Sequence, residues 1–198
     1  MIILLNKVTK LSGYFQSMDK EYIAGIKLGL VTDTWDIEGK VIEQKSTVKL
    51  NPDKIKEVVS SFYGDFYQTP PIYSAKKIKG KPAYYYARYK KNYEQNIELK
   101  KEKVKIYKID IISLLKDILT IKVRCSSGTY IRSLAFDIGK KLGCGATIVE
   151  LIRNKIGSYD INKSIELEDL ECIAEWPTLK NNYGIIRAED IAIPLNYE

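Results

Sequence analysis

The sequence predicts an α+β fold built on a mostly antiparallel mixed sheet with flanking helices. Three observations carry this reading. Stretches with period-two alternation outnumber stretches with helical period, hairpin-like turns join several of the alternating stretches, and two helices carry clear start or stop signals. The 198 residues are 45% hydrophobic, enough for one well-buried core with a small appendage.

The opening MIILLNK is apolar but too short for a membrane span or a signal peptide. Leu11, Tyr14, Phe15 and Met18 fall at helical spacing behind Thr9, which reads as an N-cap. From Lys20 to Leu30, Tyr22, Ala24, Ile26, Leu28 and Leu30 alternate with Ile23, Gly25, Lys27 and Gly29, the pattern of a strand. Thr32 to Gly39 supplies turn residues, and Lys40 to Glu43 reads as the returning strand. The expected opening order is therefore strand, helix, hairpin.

Asn51 before Pro52 is an N-cap with proline at the first helical position, and Ile55, Val58, Val59 and Phe62 then form one apolar face before Gly64. Tyr67 to Gly80 lacks a clean period and reads as an irregular loop, with a short helix from about Pro82 to Tyr89. Val104–Ile112 and Leu119–Cys125 read as two paired strands, the second placing Thr120, Lys122 and Arg124 on its other face. Ile131, Leu134, Ala135, Ile138 and Leu142 mark a helix with Lys140 and Lys141 in its last turn and Gly143 just beyond.

Composition bounds the chemistry. With 32 Lys and Arg against 25 Asp and Glu the chain carries +7, which favours polyanionic partners such as nucleic acid, although the same balance also serves solubility alone. No histidine is present, which excludes a Ser-His-Asp triad, a His-based zinc site and imidazole acid-base catalysis. Cys125, Cys144 and Cys172 have no metal-ligand spacing and form an odd set, so they read as small buried hydrophobes in a reducing cytoplasm. No metal and no cofactor are expected.

Four separated stretches carry a resemblance: TKLSGYFQSMDKEYIAGIKLGLVTDTWDIEG, QTPPIYSAKKIKGKPAYYYAR, CSSGTYIRSLAFDIGKKLGCGA and ELIRNKIGSYD. In order and spacing they resemble the bacterial tRNA pseudouridine-55 synthases of the TruB type, over nearly all of Thr9 to Asp160. The related enzymes of guide-RNA-dependent particles share the Gly-Thr-Tyr-Ile-Arg stretch, but PPIYSAKKIKGKPAYYYAR is similar to the free-standing bacterial type.

The resemblance implies the pseudouridine synthase fold and a target uridine flipped out of the T stem-loop of tRNA, because the sugar-base bond is out of reach inside a stack. It implies that Tyr22 stacks on the flipped base and assists the final proton removal. Read on its own, Tyr22 is an inward-facing strand aromatic, and only the Asp-Lys-Glu-Tyr context of the resemblance reverses that reading. It implies that Arg132 holds the catalytic carboxylate ionised and oriented, where pattern alone gives a surface arginine at a helix start.

Leu151 is implied to pack on the uracil, although a leucine there is ordinarily core. Arg153 lies in the fourth matched stretch and is taken as substrate-binding. Tyr73, Ser74, Lys76 and Lys77 sit in the proline-bounded loop as candidate RNA contacts, with Lys79, Lys81, Lys90 and Lys91 extending the basic stretch; a solvated charged loop is the alternative. Asp33 and Asp36 match a Thr-Asp-Thr-x-Asp turn and are assigned to holding it.

The family's catalytic aspartate sits in a Gly-Thr-Leu-Asp-Pro loop, and residues 1–198 contain no such motif. The expectation is a chain trimmed before that loop and short of a C-terminal RNA-binding domain. Residues 1–160 would form the catalytic-domain core and 161–198 a helical or irregular extension. Arg132 would then lack its carboxylate and a sheet edge would lie open. The alternatives are a tRNA pseudouridine synthase and a catalytically silent tRNA-binding fragment, either one a monomer without membrane association.

Overall fold

The computed structural model describes residues 2–47, 50–78, 80–89 and 99–164. Residues 2–5 form no strand, and a 3-10 turn over Asn6–Leu11 leads into α1, Ser12–Ser17. Thr9 lies inside that turn with its hydroxyl donating to the Asn6 carbonyl at 2.7 Å, so it is not the N-cap the spacing suggested. The alternating run becomes β1, Lys20–Leu28. It ends where Gly29, at φ 81°, turns the chain into β2, Leu30–Thr32. β3, Val41–Gln44, returns against β2 as expected of a hairpin, but the two make a separate two-stranded sheet.

α2, Pro52–Ser60, starts as predicted, with the Asn51 side chain accepting from Asp53 N at 2.8 Å. Ile55, Val58, Val59 and Phe62 are all buried. A strand the periodicity did not reveal, β4, Gly64–Gln68, takes the first two residues of the loop expected over Tyr67–Gly80 and pairs antiparallel with the long β7, Glu102–Leu115. Five residues containing Gly, Asp and Gln carry too weak a local signal, and tertiary pairing decides them. Within the loop, β5 (Lys77–Ile78) and β6 (Lys81–Pro82) form a minimal hairpin before α3, Ala83–Tyr89.

β7 pairs with β8, Ile118–Cys125, as expected, and β8 pairs with β1. α4, Ile131–Leu142, ends on Gly143 at φ 78°, the left-handed C-cap that its sequence announces. β9, Ala146–Ile156, and β10, Tyr159–Asp160, complete an antiparallel sheet of order β10-β9-β1-β8-β7-β4. α2 and α4 pack on one face. There Ala24, Ile26, Leu119, Ile121, Val123, Ile55, Val59, Leu134 and Ile138 share one core. Cys125 and Cys144 are buried in it as small hydrophobes, and Cys172 lies outside the described residues. Close approach of α4 to β9 needs Gly139, where a Cβ would collide with the backbone at Gly145 and Ala146.

Candidate functional site

Arg132 occupies the first turn of α4, where its guanidinium joins three separate segments. Nη1 donates to Asp36 Oδ2 at 2.8 Å and to the Thr34 carbonyl at 3.3 Å, and Nη2 donates to the Tyr73 carbonyl at 2.7 Å. The side chains of Arg132 and Asp36 are 25% and 29% exposed, so the pair is only partly screened by water. Arg132 therefore does have a carboxylate, and the expectation of an unpaired guanidinium is corrected: the acidic turn after β2 supplies it.

Asp36 does more than hold its own turn. Oδ1 accepts from the Thr34 hydroxyl at 2.7 Å and from Glu38 N at 3.2 Å, which leaves Oδ2 facing Arg132. Asp33 stays with the turn, accepting from Lys40 N at 2.8 Å. The turn is anchored to the site from outside. Trp35, at φ 61°, stacks on Phe136 of α4 with ring centroids 4.4 Å apart, and its carbonyl accepts from Ile148 N of β9 at 3.1 Å. Sequence reasoning gave Asp36 a purely local role because the spacing of Thr-Asp-Thr-x-Asp accounts for its turn without any distant partner.

Ile148 begins the second part of the site. β9 departs from regular pairing with β1 at two places, between the Glu21 and Tyr22 pairs and between the Gly25 and Ile26 pairs. These two bulges, at Asn154 and Val149, frame the segment Glu150–Arg153, and such irregularities re-aim the side chains between them. Tyr22 lies opposite Arg153 and Ala24 opposite Leu151, so Leu151 and Arg153 share the core-side face of the sheet with Tyr22. Leu151 is 43% exposed, which removes the core reading and leaves an apolar side chain on open surface.

Tyr22 is half-buried against the core. Burial raises its phenol pKa above the ordinary value, Cys125 adds to the rise, and the Arg153 guanidinium opposes it. Arg153, Lys20 and Ile156 also line a cleft of about 400 Å³ with Ile2, Leu4 and Phe15. Lys20 Nζ donates to the Met18 carbonyl at 2.7 Å, and its pKa is lowered by burial and then by Arg153.

The proline-bounded loop reaches the site through Tyr73, whose carbonyl holds Arg132. Ser74 is only 5% exposed and its hydroxyl has no hydrogen-bond partner among the described residues, so it is not placed as a surface phosphate contact. Lys76 is paired with Glu102 of β7, and Lys77 is exposed. Lys81 lies over the Tyr85 ring at 4.4 Å. Lys79, Lys90 and Lys91 lie outside the described residues, as do residues 165–198 of the expected extension. The structure thus brings Arg132 to Tyr73 and Asp36, and Tyr22 to Arg153 and Leu151, with Ile148 joining the two groups through the turn.

Comparison with known proteins agrees with the assembly. Residues 1–131 match the model of the TruB family pseudouridylate synthase N-terminal domain, and residues 132–183 match that of the tRNA pseudouridylate synthase B C-terminal domain. The tRNA pseudouridine synthase B of Clostridium tetani (strain Massachusetts / E88) is 44% identical over 170 residues, covering 85% of this chain and 57% of the relative. That of Endomicrobium trichonymphae is 42% identical over 173 residues, covering 86% of this chain and 73% of the relative. The chain thus spans a little over half the length of the first of these relatives. Among solved structures, a chain of a Cbf5-Nop10-Gar1 complex superposes with a TM-score of 0.63 at 24% identity, over 91% of this chain and 44% of that one, and shares the fold. The four matched stretches, the sheet and the two covering domain models agree: the chain belongs to the TruB family of pseudouridylate synthases.

Proposed function

We propose that the chain acts in the cytoplasm, as a monomer, on the T arm of tRNA, isomerising the T-loop uridine to pseudouridine. The observation that supports this best is an oriented guanidinium, Arg132, on the helix packed over the sheet face that carries Leu151 and the Tyr22–Arg153 pair. Isomerisation breaks the bond from the ribose C1′ to N1 of uracil, turns the base and forms a bond from C1′ to C5; the proton on C5 is then lost to a base and N1 takes one up, so that product and substrate are isomers. A detached base must be held while it turns. Leu151 offers an apolar contact to one face of the ring, and Tyr22 an aromatic surface whose hydroxyl sits beside a guanidinium. Arg132 supplies fixed positive charge for an anionic group in the site. Lys77 and Lys81 lie on the loop beside it and would meet phosphates.

A second reading, a tRNA-binding chain that does not modify its target, is favoured by one feature. Among the described residues the carboxylate bonded to Arg132 is Asp36, which is already committed to the hydroxyl of Thr34 and the backbone of Glu38. One experiment separates the two. An unmodified tRNA transcript is incubated with the chain, pseudouridine at the T-loop uridine is measured by mass spectrometry, and binding is followed in parallel across salt concentrations. Turnover supports the enzyme, and salt-sensitive binding without turnover supports the silent binder. Absence of both removes the two readings together.

A further inference from the structure

We infer that Gln68 is a positioning residue for Arg132, setting the guanidinium in place by clamping the start of α4 to the end of β4. Gln68 is 1% exposed, a full carboxamide taken out of water. Burying such a group is costly unless both its ends are bonded, so its partners show what it is for. Both partners are the backbone of one residue. Gln68 Nε2 donates to the Tyr130 carbonyl at 3.0 Å, and Tyr130 N donates to Gln68 Oε1 at 2.8 Å.

Tyr130 is the N-cap of α4 and makes no side-chain cap of its own. Its carbonyl also accepts the first helical bond, from Leu134 N at 3.1 Å. The strand end that grips Tyr130 grips the next turn as well, because the Ser133 hydroxyl donates to the Thr69 carbonyl at 2.7 Å and Arg132 donates to that of Tyr73. Residues 68, 69 and 73 thus hold residues 130, 133 and 132 in turn. Other side chains would not serve. An aliphatic residue makes neither bond, asparagine is one methylene shorter, and a carboxylate accepts from Tyr130 N but repels its carbonyl.

The geometric consequence falls on Arg132. Its planar donors must meet Asp36 on one side and Tyr73 on the other, and a small slide of the first turn of α4 breaks both contacts. Release of the clamp lets Arg132 exchange these partners for water while the rest of α4, fixed by Leu134, Ile138 and the Gly139 contact, stays packed. The link to uridine binding rests on the proposed function, but the link from Gln68 to Arg132 does not.

The test uses the full chain labelled with ¹⁵N-arginine. The Arg132 side-chain resonance is assigned by its disappearance in Arg132→Lys, then followed in Gln68→Met, which keeps volume without either bond, and in Gln68→Glu, which keeps the acceptor alone. In both folded variants the resonance is expected to move to the position and exchange rate of a solvated arginine, further in Met than in Glu. A resonance that stays in place, even in a variant that melts earlier, overturns the inference, because Gln68 would then support the fold alone. Failure of both variants to fold where the wild type folds overturns it on the same ground. In parallel, binding of a T stem-loop RNA hairpin should weaken about tenfold in Gln68→Met. A wild-type chain that ignores the hairpin would defeat the proposed function and leave the arginine resonance to decide the inference.

Discussion

Arg132 and Asp36, 96 positions apart in the chain, meet with Nη1 and Oδ2 separated by 2.8 Å. One sits at the start of a helix and the other in the turn of a small hairpin outside the main sheet. The contact makes that hairpin part of the site, and four further consequences are open to measurement.

Separating the pair should cost stability, although modestly, because both side chains keep a quarter or more of their surface in water. Arg132→Ala and Asp36→Asn are each expected to lower the free energy of unfolding by about 1–2 kcal/mol, with a coupling of at least about 0.5 kcal/mol in the double variant. Urea denaturation of the four proteins checks this. Strictly additive effects would mean that the contact has no energetic content.

Leu151→Ala should separate binding from folding. At 43% exposure the side chain contributes little to the core, so the unfolding midpoint should shift by less than the equivalent of about 1 kcal/mol. Binding of a T stem-loop RNA or pseudouridine formation should fall severalfold. A large loss of stability with unchanged RNA binding would return Leu151 to the core.

Gly139→Ala should damage the site without touching it. The added methyl would meet backbone at Gly145 and Ala146, forcing α4 away from β9. The expected loss is about 1–3 kcal/mol, as for overpacked cores, read as a lowered thermal midpoint. An unchanged midpoint would show that the helix slides freely over the strand.

Cys125 gives the alkaline limb of stability a definite sign. Burial pushes its thiol up to about 11, against the Thr129 hydrogen bond that favours the thiolate. A folded-state pKa above that of the unfolded chain means that the native thiol keeps its proton where the unfolded one has lost it. The contribution is complete below pH 9 and is lost as pH rises toward 11. Cys125→Ala should therefore lose less stability between these two pH values than the wild type, by up to about 2–3 kcal/mol. The same burial predicts that thiol reagents reach Cys125 only on unfolding.

Helices and central strands were legible because their signals are local. Asn51–Pro52 and Lys140–Lys141–Gly143 mark ends by capping chemistry, and β1, β7 and β8 announce themselves by alternation. β4 and β9 were not legible. β4 has five residues of mixed character, and β9 is interrupted by two bulges that break its period. Thr9 misled for the converse reason: a hydroxyl of capping type met its partner inside a 3-10 turn.

The sequence by itself determined the α+β class and the lack of histidine in residues 1–198, and its resemblance to a known family singled out Tyr22, Arg132, Leu151 and Arg153. Only the tertiary structure decided what they meet. Asp36 as the carboxylate on Arg132, Gln68 as the clamp on Tyr130 and Arg153 opposite Tyr22 all join residues from distant parts of the chain. Periodicity and capping are set by neighbours a few positions away. A hydrogen bond between remote segments depends on sheet order and helix placement, which the whole core fixes at once.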